Sequence, residues 1–152
     1  MEHNLYQQLI LDHNKNPHNY GDLDPYSHKS EGYNPLCGDH LWIKLLLAED
    51  KQTIEKIAFK GQCCAISKAS ASLMTKTMVG KTPAEVKTLF ALFRELVLDQ
   101  TPPEQLKSRL GKLIVFEGIK RYPSRIKCVL LAWYTVIAAL EHQKTAESES
   151  QY

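Results

Sequence analysis

The stretch from Ile126 to Leu140 constrains this chain more than any other part of it. Ile126, Val129, Leu130, Trp133, Val136, Ile137 and Leu140 fall on one side of a helix, and Leu131, Ala132, Thr135 and Ala139 on the other. Almost no polar face remains. A helix that is apolar all round has to lie between other elements, so the rest of the chain must cover it on more than one side. With 152 residues, a single domain has enough chain to do this without disulfides. No stretch is expected to supply the roughly 18 apolar residues of a membrane span.

The covering elements can be read from periodicity. Leu5, Tyr6, Leu9, Ile10 and His13 recur at helical spacing, which predicts a helix over roughly Asn4 to Asn14, stopped by Pro17. Residues 16–30 are rich in Asn, Asp, Gly, Pro and His and read as a loop. The strand pattern over Tyr26 to Gly32 is weakly marked. Leu41, Ile43, Leu45 and Leu47 alternate with His40, Trp42 and Lys44, and Ile57 and Phe59 with Lys56 and Lys60, which predicts a hairpin. After Gly61, the residues Ile66, Ala69, Leu73 and Thr77 mark a helix ending near Gly80. Thr82-Pro83 with Glu85 is a helix-start signature, leading into the stripe Val86, Leu89, Phe90, Phe93, Leu96, Val97. Thr101-Pro102-Pro103 ends it, a short helix follows over Glu104 to Leu110, and the last helix runs from near Ser124 to His142. No repeat or linker appears. The expectation is one domain over residues 1–142, α+β in class, with a small antiparallel sheet packed against a layer of helices, and a polar, disordered tail over 143–152.

Charge narrows the function. The net charge is +2 and no run of five basic residues occurs, so neither nucleic acid nor a membrane surface is expected as a partner. Met1 to Ile10 has no signal-peptide core or cleavage pattern, which predicts a cytoplasmic location. In a reducing compartment the four cysteines, Cys37, Cys63, Cys64 and Cys128, read as metal ligands, nucleophiles or small buried hydrophobes rather than disulfide partners.

Three segments hold them. In Asn34-Pro35-Leu36-Cys37-Gly38-Asp39 a tight turn can aim Cys37 and Asp39 at one centre, and zinc accepts both donor types. Gly61-Gln62-Cys63-Cys64-Ala65-Ile66-Ser67 lies at a strand-to-helix junction, where the helix dipole favours thiolate. Consecutive side chains diverge, so one of its two cysteines is a bystander. In Tyr122-Pro123-Ser124-Arg125-Ile126-Lys127-Cys128, Arg125 stands one helical turn before Cys128 and can favour its thiolate. A loop, a helix N-terminus and a helix interior each offer a thiol. Three thiolates and one carboxylate would complete a tetrahedral zinc site.

These segments resemble the SufU, IscU and NifU family. Asn34 to Asp39 is similar to its first cysteine loop, Cys64-Ala65-Ile66-Ser67 to its second motif, and Arg125 to Trp133 to its third. The resemblance spans Leu5 to Leu140 and implies a SufE/NifU-like fold. Lys127, where IscU-type scaffolds carry His, and the long gap between Cys64 and Cys128 point to the SufU branch, with an extra segment between Gly80 and Leu110. The resemblance assigns the ligand role to Cys64, leaving Cys63 as bystander. It implies metal ligands Cys37, Asp39, Cys64 and Cys128, with Cys37 as sulfur acceptor and Arg125 in support. The implied function is sulfurtransferase-like: a zinc protein that takes persulfide sulfur from a SufS-type cysteine desulfurase and serves downstream cluster-assembly proteins. Two other readings stay open. One is a scaffold holding iron or a [2Fe–2S] cluster on the same ligands; the other is a structural zinc adaptor.

Overall fold

The computed structural model describes residues 2–36 and 38–147. Strands β1 (His28–Asn34), β2 (Asp39–Leu47) and β3 (Ile54–Gln62) form an antiparallel meander. The helices are α1 (Glu2–Lys15), α2 (Ala65–Met78), α3 (Pro83–Val97), α4 (Pro103–Leu110) and α5 (Ile126–Leu140). The α+β class is as expected, with helices on one face of the sheet.

Alternation along β2 fixes which face that is. Leu41, Ile43 and Leu45 are fully buried, while His40, Trp42 and Lys44 point to the other side. The buried face receives α5, which packs on β1 and β2 and is covered from behind by α2 and α3. Every residue from Cys128 to Ala139 is buried. Together with the preceding 3-10 turn, Pro123–Leu140 is in fact long and apolar enough to cross a membrane, contrary to expectation. Two thirds of it, Cys128 to Ala139, is buried inside the protein, so it is the core helix that the all-round apolar pattern requires.

The two sides of α5 pack differently. On one, Trp133 stacks on Phe93 at 4.3 Å between ring centroids, and its indole N–H donates to Ser70 Oγ at 3.2 Å. Ser70 in turn donates to the Val129 carbonyl at 2.6 Å, tying α2 to α5. On the other side β1 comes very close, because it presents Gly32: a Cβ there would collide with the Thr135 hydroxyl and lie 3.3 Å from Leu131 Cδ1.

Thr82 and Glu85 form the expected capping box at the start of α3. Two elements were not anticipated. Gly111–Arg121 is a 3-10 helix whose buried Leu113, Phe116 and Ile119 recur every third residue, the 3-10 period. The expected disordered tail begins instead with a short strand, β4 (Thr145–Glu147). It runs parallel to β1 and pairs Gly32 with Ala146, giving the order β3-β2-β1-β4. Ala146 is buried, and the Glu31 N–H donates to the Lys144 carbonyl at 2.9 Å, so edge pairing outweighs the polar composition. The rest of that segment, 148–152, lies outside the described residues.

Near the end of β3, paired with Leu41, stands Gly61, whose φ is +147°. A Cβ on Gly61 would collide with the His40 carbonyl oxygen and lie 2.7 Å from Leu41 Cα, both backbone atoms. Gly61→Ala should therefore cost roughly 3 kcal/mol or more, since backbone strain and overpacking each contribute about 1–3. Thermal unfolding followed by circular dichroism would measure this, and an unchanged midpoint would contradict it.

Candidate metal centre

Three elements converge at the end of the sheet where β1 turns into β2. Asn34 and Asp39 are register partners that close the turn. The Gly38 N–H donates to the Asn34 carbonyl at 2.9 Å, and the Leu36 N–H to Asn34 Oδ1 at 3.2 Å. The β2 alternation then turns Asp39 inwards, where it is 4% exposed. Cys64 is the N-cap of α2, and its sulfur accepts from the Ser67 N–H at 3.4 Å. Cys128 lies in the first turn of α5 and is buried.

Asp39 links these parts. Its Oδ1 accepts from the Cys64 N–H at 2.9 Å, and its Oδ2 takes the Cys64 thiol at 3.7 Å. The donor atoms of Asp39, Cys64 and Cys128 all lie within 4.8 Å of one another. In a tetrahedral zinc site, bonds of about 2.3 Å to sulfur and 2.1 Å to oxygen put neighbouring donors about 3.5–3.8 Å apart. The three side chains thus fit a zinc ion with a small contraction, and two thiols with one carboxylate form a borderline-soft set that suits it.

Electrostatics favour thiolate at this point. The Cys128 thiol donates to the Cys64 sulfur, and the backbone N–H groups of Ser67 and Ile66 add to it. Together they hold the Cys64 pKa below its ordinary value against burial and the Asp39 charge. Both cysteines also sit at helix N-termini, which adds the positive ends of two dipoles. Cys63 is the opposite case. Burial, reinforced by the Asp39 charge, pushes its thiol up to about 12, and it packs against the core outside the group of three donors.

Of the residues expected to form the site, Asp39, Cys64 and Cys128 are therefore brought together. Cys37 lies between Leu36 and Gly38, outside the described residues, so its expected roles as ligand and acceptor lie outside them too. Arg125 is exposed just before α5. With Tyr6, Tyr122 and Ile66 it lines a surface groove of about 450 Å³. Ile66 is two residues from Cys64, so this groove opens beside the metal centre.

Two contributors escaped the sequence reading. Asn34 is buried, and its Nδ2 donates to Cys128 Sγ at 3.6 Å, so the residue that closes the turn also braces a thiol. Tyr6 is buried at the wall of the groove, where burial raises its pKa to about 12 and Arg125 opposes the rise. Asn34 precedes a proline and reads as a turn residue; only the register of β1 and β2 shows that it faces α5.

Comparison with known proteins shows the family and the fold. Residues 5–129 match the model of the NifU-like N-terminal domain. The iron–sulfur cluster assembly scaffold protein IscU of Streptococcus pyogenes serotype M1 is 38% identical over 94% of this chain and 87% of its own length. The zinc-dependent sulfurtransferase SufU of Bacillus subtilis strain 168 is 36% identical, covering 85% and 84%. Among solved structures, a proposed scaffold protein of the SUF system from Fervidobacterium islandicum AW-1 superposes with a TM-score of 0.80. It shares 33% identity over 91% of this chain and 98% of that one. A NifU-like N-terminal protein from Brucella abortus shares the fold, with a TM-score of 0.78 over 90% and 92% at 22% identity.

Proposed function

We propose, since this chain belongs to the family of NifU-like N-terminal domains, that it accepts persulfide sulfur from a SufS-type cysteine desulfurase for iron–sulfur cluster assembly. The observation that carries the reading is the cluster of Asp39, Cys64 and Cys128 at two helix N-termini. These three would hold zinc, with Cys37 as the fourth ligand. Zinc keeps thiolate ligands deprotonated near neutral pH.

Cys37 is the proposed acceptor. Its neighbours Leu36 and Gly38 are exposed, Leu36 at 74%, which suits a residue that must enter a partner's active site. The Cys37 thiolate attacks the outer sulfur of the desulfurase persulfide. A new S–S bond forms at Cys37, the old one breaks, and the desulfurase cysteine leaves as thiolate with the electron pair, so no oxidant is needed. Asp39 and Asn34 meanwhile hold Cys64 and Cys128 in place.

A second reading, a scaffold for a [2Fe–2S] cluster on the same ligands, is favoured by the Streptococcus pyogenes relative, which is named as a scaffold. Lys127, where IscU-type scaffolds carry His, favours zinc. Metal analysis of anaerobically purified protein separates the two. Colourless protein with about one zinc per chain that survives dialysis supports the proposal. Brown protein with iron and sulfide in place of zinc overturns it.

Arg125 supports the desulfurase encounter rather than the fold, because it is exposed at the groove beside the centre. Arg125→Ala should keep its zinc and lose most of its stimulation of the desulfurase. Full stimulation would remove Arg125 from the mechanism.

A further inference from the structure

The outer face of the sheet, away from the helices and the metal centre, carries a group of four lysines. Strand register sets Lys29 beside Lys44 and Trp42 beside Lys60 on this face. The segment 21–27 crosses over it: the Gly21 N–H donates to the Phe59 carbonyl and the Ser27 N–H to the Leu45 carbonyl, both at 2.8 Å. Between this segment and the strands lies a cavity of about 750 Å³ whose lining includes Lys29, Lys44, Lys60 and Lys144, with Trp42 as an apolar patch.

Its two carboxylates are already engaged. Asp22 pairs with Lys44 at 2.8 Å, and Glu31 accepts from the Tyr33 hydroxyl at 2.6 Å and contacts His40 Nε2 at 3.1 Å. Among the described residues, Lys29, Lys60 and Lys144 form no ion pair. The chain holds 19 Lys and Arg against 17 Asp and Glu; without the four lysines and two carboxylates of this groove, the remainder is balanced. The groove itself thus carries a net charge of +2, four lysines against Asp22 and Glu31. Trp42 is held in position as well, because His40 stacks on it at 3.9 Å and Tyr33 stacks on His40 at 4.3 Å.

We propose that this groove docks an extended acidic segment of a partner protein, with carboxylates on Lys29, Lys60 and Lys144 and an apolar side chain on Trp42. Lysines spread along neighbouring strands match carboxylates spaced along a peptide, and their charge would steer the encounter. A phosphate ligand fits less well, because the lining includes no helix N-terminus. It also includes no arginine to grip phosphate in bidentate fashion. Binding here would leave the metal centre, on the other face, open to a desulfurase.

Fluorescence anisotropy with a labelled peptide of alternating Glu and Leu, beside its Gln counterpart, tests this. The Glu peptide should bind, more tightly at low salt, and the Gln peptide should not. The Lys60→Glu/Lys144→Glu protein should bind at least about tenfold more weakly. If charge reversal impairs folding, Lys60→Gln/Lys144→Gln should show a smaller loss in the same direction. Carbodiimide cross-links should map to Lys29, Lys60 or Lys144. Equal binding of the two peptides, equal binding by the variants, or cross-links confined to other lysines would overturn the proposal. So would ATP displacing the Glu peptide at lower concentration than unlabelled peptide does, since the site would then be one for phosphate.

Discussion

Cys128→Ser should weaken zinc binding by more than about 100-fold, the upper end of what losing even an outer-shell partner costs. Cys128 is buried with Asn34 Nδ2 at 3.6 Å from its sulfur and the Cys64 sulfur as its hydrogen-bond acceptor. Serine offers a harder oxygen that stays protonated near neutral pH, so both the donor type and the negative charge are lost. Competition with a chromophoric zinc chelator measures the affinity. Cys63→Gly is the matched control: Cys63 lies outside the donor group and burial keeps it a thiol, so its removal should leave the affinity unchanged. If Cys63→Gly loses zinc and Cys128→Ser keeps it, the ligand set is wrong.

Trp133→Ala should destabilise the fold by about 3–5 kcal/mol, the usual cost of emptying a buried aromatic site. Trp133 is fully buried, stacked on Phe93, and donates to Ser70, which itself donates to Val129. Removing it leaves a cavity between α5 and α3 and takes a donor from the link between α2 and α5. Since small domains are stable by only about 5–15 kcal/mol, this is a large share of the total. The same seam carries the site, because Cys64 caps α2 and Cys128 begins α5. Denaturant unfolding of the zinc-free protein gives the number without a contribution from metal. A loss under about 1 kcal/mol would show that the seam is not what holds the core.

Much of this was legible in the sequence, for reasons particular residues make plain. The β2 alternation of Leu41, Ile43 and Leu45 with His40, Trp42 and Lys44 names both the strand and its faces. Thr82 and Glu85 mark the start of α3 because the capping box needs only local chain. β1 was faint because its buried side chains are Ser30 and Asn34, with Gly32 between them, small or polar groups where a strand usually shows Val or Ile. Close packing of α5 against Gly32 requires this, and only the tertiary structure reveals it. The 3-10 helix does leave a signal, with Leu113, Phe116 and Ile119 three apart, a period that matches neither the α-helical nor the strand repeat. β4 left none: a strand of three residues with one buried alanine has no periodicity to read.

The site divides in the same way. Segment chemistry pointed to Asp39 and Cys128, and resemblance separated Cys64 from Cys63. The structure adds physical reasons for that choice, since Cys64 caps α2 beside Asp39 while Cys63 turns towards the core. The part played by Asn34 depended on knowing that β1 ends against α5, which no local pattern states.

Sulfur acceptance by Cys37 is tested most directly by mass spectrometry. The zinc-loaded protein is incubated with a SufS-type cysteine desulfurase and cysteine, without reductant, and the alkylated peptides are mapped. One added sulfur on the peptide containing Cys37, absent when cysteine is omitted, is the expected result. Added sulfur on the peptide of Cys63 and Cys64 instead, or undiminished stimulation of the desulfurase by the Cys37→Ser protein, would contradict it.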